Sequence, residues 1–318
     1  MATIALKIDV DTWRGTREGV PSLVRLLERA GVMATFLFSV GPDHTGRAIR
    51  RVFRPGFFGK VARTSIVEHY GVCTLLYGTL LPGPDIGRRE ATTLRAVARA
   101  GFETGVHTWD HVRWQDGVAC ASEDWTRTEL LRATERYAEI FGQAPVVHGA
   151  AGWQMNDAAY RIEAELGYTV ASDTRGRGPF VPVDECGQQL GPVQFPTTLP
   201  TLDELIGCDG WNADNVHEAL LKLTAADEAH LHVYTLHAEL EGHKLMPTFE
   251  RLLAGWRAQG HTFASLGQLP ALVDRAALPR CLAATGSVPG RSGRLAVQGL
   301  DVPELSRPRP GGLGLFGL

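Results

Sequence analysis

The chain has 318 residues, a formal charge of −3 and 44% hydrophobic against 21% charged side chains. That composition suits one βα barrel with insertions or two modest domains, and it is too apolar for a disordered chain. The near-neutral balance argues against a general nucleic-acid binder, because no global basic field exists and any polyanion contact must be local.

The N-terminal MATIALKIDVDTW has only a short apolar stretch, broken by Lys7 and Asp9, with no small-residue cleavage site. The chain is therefore expected to stay in the cytoplasm. Arg, Asp or Glu interrupts every candidate membrane span. Short β-rich runs then alternate with amphipathic helical stretches. Ile4 to Val10 reads as a strand. A helix from Arg17 to Ala30 follows, with Val20, Leu23, Val24 and Leu27 on one face and Gly31 as its stop. Met33 to Val40 is a strand, Arg88 to Ala100 a helix, and Glu103 to His107 enters the next strand. Further units follow as a helix at 127–141, a strand at 146–148, a helix at 157–166 and a strand at 168–172. The strand Leu231 to Leu236 precedes a helix at 247–259 and a last strand at 261–264. About seven such units predict an α/β fold with a closed or nearly closed barrel over residues 1–278.

Two segments leave that rhythm. Residues 41–87 form a long insertion after the second strand. Within it, residues 44–67 carry Arg47, Arg50, Arg51, Arg54, Lys60 and Arg63 with no acidic side chain, interleaved with Phe53, Phe57 and Phe58. It reads either as a solvated basic face or as a cationic, amphipathic surface for anionic lipid. Residues 279–318 are rich in Gly and Pro and are expected to be a partly disordered tail. Five scattered cysteines, Cys73, Cys120, Cys186, Cys208 and Cys281, form no C-x-x-C pair, which predicts reduced thiols.

Polar residues at strand ends carry the chemistry. Asp9 and Asp11 end the first strand two apart, so alternation points both carboxylates to one side; a turn or helix-capping pair is the plainer reading. His107 and His111 follow a later strand. Two imidazoles four apart in a helical turn can meet one metal ion, although H-x-x-x-H also arises by chance. Thr108 stands where H-E-x-x-H needs Glu, which excludes that protease mechanism in its usual form. His237 ends another strand, and a barrel would bring it to the same rim as a proton donor.

The order of these pieces resembles the polysaccharide deacetylase superfamily, carbohydrate esterase family 4, whose members share a distorted (β/α) barrel. More narrowly, IDVDTWRGTREGVP, FLFSVGPD, HTWDH, AAGW, SDTRG, PTTLPT and YTLHAELEG are similar to 4-deoxy-4-formamido-arabinose phosphoundecaprenol deformylases of the polymyxin-resistance pathway. The resemblance covers residues 3 to 300. It implies a metal-dependent amide hydrolase with Asp11, His107 and His111 as ligands of one divalent ion (Zn, Mn, Co or Ni). It further implies Asp9 as general base, His237 as general acid and Asp173 as the partner that orients His237. A backbone N–H near Trp153 would share the oxyanion's charge. The implied substrate is an undecaprenyl phosphate-linked sugar, met at an anionic inner-membrane surface. Trp153, Arg175, Glu239, Arg47, Arg50, Arg51 and Arg54 are the candidate contacts. One departure stands out: Ala150-Ala151-Gly152-Trp153 occupies the place of an Arg-x-Pro-aromatic motif, so the Arg that holds the base is absent, with Arg175 as a candidate substitute. An N-deacetylase of another amino sugar and a non-catalytic sugar-lipid-binding barrel are the competing readings.

Overall fold

Residues 1–48, 71–227 and 229–302 are described by the computed structural model. β1 (Thr3–Val10) shows why this sequence curls into a half-barrel, an open sheet of the expected α/β kind whose two end strands do not pair to close it. Ile4, Leu6, Ile8 and Val10 point outward into a core shared with the helices, while Ala5 faces an inner cluster with Leu37, Val147 and Val233. Being buried on both faces, the strand is apolar nearly throughout, as parallel strands under helices are. Beyond Thr3 at its start, Lys7 and Asp9 are the exceptions, and both lie on the inner face.

α1 (Val20–Ala30) follows a π-helical turn at Gly15–Gly19 and stops at Gly31, whose φ of 59° is the left-handed conformation that closes a helix. β2 (Thr35–Ser39), α2 (Ala91–Arg99), β3 (Glu103–Thr108), α3 (His111–Gly117), α4 (Glu123–Phe141), β4 (Val147–His148), α5 (Asp157–Glu165) and β5 (Val170–Ala171) continue the alternation. After the short strand β6 (Val181–Val183) come α6 (Val216–Ala226), β7 (Leu231–His237), α7 (Met246–Ala258) and β8 (Thr262–Ala264). Seven parallel strands form the curled sheet in the order β5-β4-β3-β2-β1-β7, with β8 pairing with the first half of β1. Because all run the same way, their C-terminal ends share one rim.

The insertion after β2 begins and ends on a tied stem. Ile86 N donates to Gly41 O at 2.8 Å, Asp43 N to Pro84 O at 2.9 Å and Gly46 N to Tyr77 O at 2.9 Å. Its basic, Phe-bearing part lies outside the described residues except for Arg47.

The tail expected from residue 279 onward needs correction as far as residue 302. β9 (Arg280–Gly286) and β10 (Leu295–Asp301) form an antiparallel hairpin, and β9 also pairs in parallel with β6. Among the described glycines of this segment, Gly290 and Gly293 lie in the hairpin's loop and adopt positive φ. Gln298 N donates to Arg175 O and Arg175 N to Ala296 O, so the hairpin is laced to the loop after β5.

Candidate active site

Three strands deliver side chains to one rim: β1 brings Asp9 and, just past its end, Asp11; β3 brings His107; β7 brings His237. The β2–β3 ladder pairs Phe38 with Val106 and then Ser39 with Thr108, leaving His107 as the extra residue of a register shift. A bulge of this kind re-aims a side chain, and His107 is buried at the rim. His111 is the first residue of α3, whose N-cap Asp110 accepts from Arg113 N at 3.1 Å. The two imidazoles are thus not on one helical turn, as their spacing suggested. One sits on a strand and the other on a helix, and the tight connection between them sets their ring centres 5.3 Å apart.

Asp11 lies between these rings. Its Oδ1 is 3.2 Å from His107 Nε2 and its Oδ2 is 3.4 Å from His111 Nε2. His107 Nδ1 lies 2.6 Å from Gly149 O, a contact that only a protonated Nδ1 can make. A neutral His107 therefore turns the lone pair of Nε2 toward the carboxylate. Burial disfavours the charged form of Asp11, but His111 and His107, when their rings are protonated, outweigh it and hold its pKa well below the usual carboxylate range. Asp11 Oδ1 is buried without a hydrogen-bond partner among the described residues. One carboxylate and two imidazoles, their ligand atoms within 4.8 Å of one another, fit a divalent transition-series ion, and the His107–Gly149 contact is the outer support such a ligand needs.

Asp9 stands beside this group with a different environment. Lys7 Nζ is 3.5 Å from its Oδ2, while Oδ1 is buried, 3.9 Å from His107 Nδ1, with no hydrogen-bond partner among the described residues. His237 is the register partner of Asp9 across the β1–β7 ladder. Its ring meets the edge of Trp153 at 6.4 Å, and its Nδ1 is buried without a partner among the described residues.

The family profile described as polysaccharide deacetylase matches residues 2–171, over half of the chain. The chain belongs to the polysaccharide deacetylase family. It is 39% identical over 251 residues, 79% of this chain and 80% of the relative, to a probable 4-deoxy-4-formamido-L-arabinose-phosphoundecaprenol deformylase of Shewanella sediminis (strain HAW-EB3). A protein of the same name from Wigglesworthia glossinidia brevipalpis is 30% identical over 286 residues, 89% of this chain and 98% of that one. The crystal structure of a probable polysaccharide deacetylase from Pseudomonas aeruginosa PAO1 matches with a TM-score of 0.58 at 17% identity, covering 85% of this chain and 90% of that one, a likeness of fold. Family and curated relatives together indicate an amide hydrolase.

Several other residues expected at the site of this polysaccharide deacetylase are engaged elsewhere. Asp173 does not meet His237. Its Oδ1 accepts from His148 Nδ1 and from Ala150 N, each at 2.8 Å, and its Oδ2 from Gln194 Nε2 at 2.7 Å, because the loop after β5 turns it toward the end of β4. Arg175 does not replace the missing Arg: it pairs with Glu204 at 2.5 Å and lies over the Trp153 ring at 4.9 Å. The Trp153 N–H donates to Ala150 O at 3.1 Å and is not available to an oxyanion, although the indole itself borders His237. Glu239 is turned inward, its Oε1 accepting from Asp11 N, Thr12 N and Thr12 Oγ1, so it anchors the loop that carries Asp11 and does not face a substrate. Arg47 is exposed and donates to Gly78 O at 3.0 Å, whereas Arg50, Arg51 and Arg54 lie outside the described residues. Lys7, His148 and Glu163 were not anticipated. A lysine inside an otherwise apolar buried strand was the one available signal for the first.

Proposed function

We propose that the chain is a metal-dependent hydrolase that removes the formyl group from undecaprenyl phosphate-linked 4-deoxy-4-formamido-L-arabinose. The products are formate and the 4-amino sugar lipid used for lipid A modification in polymyxin resistance. The observation that carries this reading is the convergence of Asp9, Asp11, His107, His111 and His237 on one rim, in a chain 39% identical to a probable deformylase of that substrate.

Asp11, His107 and His111 would hold one divalent ion, Zn, Mn, Co or Ni, which when bound polarises the amide oxygen and lowers the pKa of a water. Asp9 offers its Oδ1, unpartnered among the described residues, as acceptor for the proton of the attacking water. The new bond is between the water oxygen and the formyl carbon. His237, on the neighbouring strand, protonates the sugar nitrogen as the C–N bond breaks, so the amine leaves neutral. Asp173 supports the rim at one remove, through Ala150 N and the turn that presents Gly149 O to His107.

A substrate on a polyprenyl tail favours peripheral attachment at the cytoplasmic side of the inner membrane, with Arg47, Arg50, Arg51 and Arg54 meeting anionic headgroups. No helix among the described residues is long and apolar enough to cross a membrane. The deciding assay is incubation with a short-chain formamido-arabinose phosphoprenol, measuring formate with and without chelator. Release that stops on chelation and returns with added metal is expected. No release after metal reconstitution overturns the proposal, and faster hydrolysis of the acetamido analogue assigns an N-deacetylase instead.

A further inference from the structure

We propose that Lys7 is the positioning residue of the Asp9 carboxylate: its buried ammonium holds one oxygen of Asp9 and so aims the other at the attacking water. The proposal rests on the reading of Asp9 as proton acceptor given above.

Lys7 and Asp9 are two residues apart on β1, so both project into the barrel. Lys7 is 0% exposed. An ammonium is not carried into an interior without compensation, so its contacts define its role. Nζ donates to Ser172 O at 2.9 Å, lies 3.5 Å from Asp9 Oδ2 and stands 5.3 Å from the centre of the Trp153 ring. Gly149 makes room for it: a Cβ there would come within 2.9 Å of Lys7 Cε and 2.4 Å of Leu37 Cδ1. The contacts are themselves fixed. Ser172 N donates to His148 O at 2.9 Å, and the Trp153 indole N–H donates to Thr197 Oγ1 at 3.1 Å. The ammonium is therefore located by the ends of β4 and β5 and by an aromatic wall, not by Asp9 alone.

The two oxygens of Asp9 are treated unequally. Oδ2 has the cation, while Oδ1 is buried and has no hydrogen-bond partner among the described residues. Holding one oxygen removes the rotation that would otherwise exchange the two, which is how a neighbouring charge prepares a base for one geometry. Among the described residues Lys7 is the only lysine or arginine within ion-pairing distance of Asp9, since Arg175 is taken by Glu204.

The test compares Lys7→Met and Lys7→Arg with the wild type on the short-chain formamido substrate, with metal content and thermal unfolding measured on each. For Lys7→Met, kcat should fall about 100-fold with KM within about threefold, the signature of an interaction used beyond ground-state binding. Metal occupancy should not change, because Lys7 touches no ligand. Lys7→Arg should bring kcat back to within about tenfold of wild type, since the guanidinium keeps the charge but not the shape. A crystal structure of Lys7→Met should show the Asp9 carboxylate rotated from its wild-type position. Retained kcat in Lys7→Met, or an unmoved Asp9, overturns the proposal. If Lys7→Met does not fold, Lys7→Arg decides: a folded, metal-loaded Arg variant as inactive as Asp9→Asn sinks the idea, and one within tenfold of wild type supports it. Should the wild type itself release no formate, the functional reading fails, and the orientation of Asp9 in the variant crystal still judges Lys7.

Discussion

Asp9 and Asp11 are the same side chain two positions apart, and their surroundings divide the labour between them. Asp11 faces two imidazoles, while Asp9 faces an ammonium and keeps one oxygen without a hydrogen-bond partner among the described residues. We expect Asp9→Asn to reduce turnover at least about 100-fold while the metal stays bound, because removing a proton acceptor leaves the ligands in place. His107→Ala and His111→Ala should lose both metal and turnover, since two remaining ligands hold a divalent ion poorly. Elemental analysis of the purified variants separates the two outcomes. A metal-free Asp9→Asn beside a fully loaded Asp11→Asn would exchange the roles. Asp9, Asp11 and His107 were legible in the sequence as polar groups at or just past the end of an apolar run, since a parallel sheet gathers such ends, whereas His111, on a helix, was reached through its spacing from His107. Lys7 was not, because it lies inside a run. The partners of Asp173 were hidden for another reason: His148 precedes it by 25 residues on another strand, and no local pattern records that meeting.

Between elements, the most consequential polar contact lies behind the sheet. His148 on β4 meets Asp173 after β5 and Glu163 on α5, with its Nδ1 2.8 Å from each carboxylate, and all three are fully buried. Burial disfavours the imidazolium, yet Glu163 and Asp173 outweigh it and raise the His148 pKa to about 10. Burial, with the Asp173 charge, raises that of Glu163 to about 8. Both groups bind their protons more tightly in the folded chain than in the unfolded one, so the stability they contribute is complete below their unfolded pKa values and is lost as pH rises. For Glu163 that window runs from its ordinary value of 4.5 to about 8, and for His148 from 6.5 to about 10. Wild-type Tm minus that of Glu163→Gln should therefore shrink steadily between about pH 5 and 8. A difference that is constant or grows over this range contradicts the assignment. The elements that carry the triad were legible from their periodicity, β4 and α5 within a residue or so of their observed bounds. What escaped was β6 and the β9–β10 hairpin, whose strands are short or flanked by Gly, so composition outweighed alternation.

For the whole molecule, the parallel sheet fixes a direction. The βα succession was readable from hydrophobic period alone, and with it the rim at which every strand C-terminus ends. The insertion leaves β2 from that same rim, and His44 Nδ1, at its start, lies 2.6 Å from Asp110 Oδ2 beside His111. A sugar carried on a polyprenyl tail must reach the rim while its tail stays in lipid, so attachment on the rim side is the geometry that serves the proposed reaction. On the described side of the insertion, Val72 is 62% exposed, Leu80 80% and Leu81 39%, an unusual concentration of bare apolar side chains. Sequence supplies the charge, with Arg47, Arg50, Arg51, Arg54, Lys60 and Arg63 and no acidic residue between positions 44 and 67. Each Lys or Arg near an anionic leaflet contributes about 1 kcal/mol, and the total falls with salt, whereas insertion of Phe53, Phe57 or Phe58 is not screened. Charge should therefore steer and the apolar side chains should hold. Changing Arg47, Arg50, Arg51 and Arg54 to Gln is expected to release the protein from phosphatidylglycerol-containing vesicles while hydrolysis of a soluble, short-tailed substrate stays within about twofold of wild type, because the rim residues are untouched. Vesicle sedimentation at low and high salt beside that assay tests both halves. Undiminished vesicle binding by the quadruple variant would make the segment an ordinary solvated basic face and move the search for the membrane contact to Val72, Leu80 and Leu81.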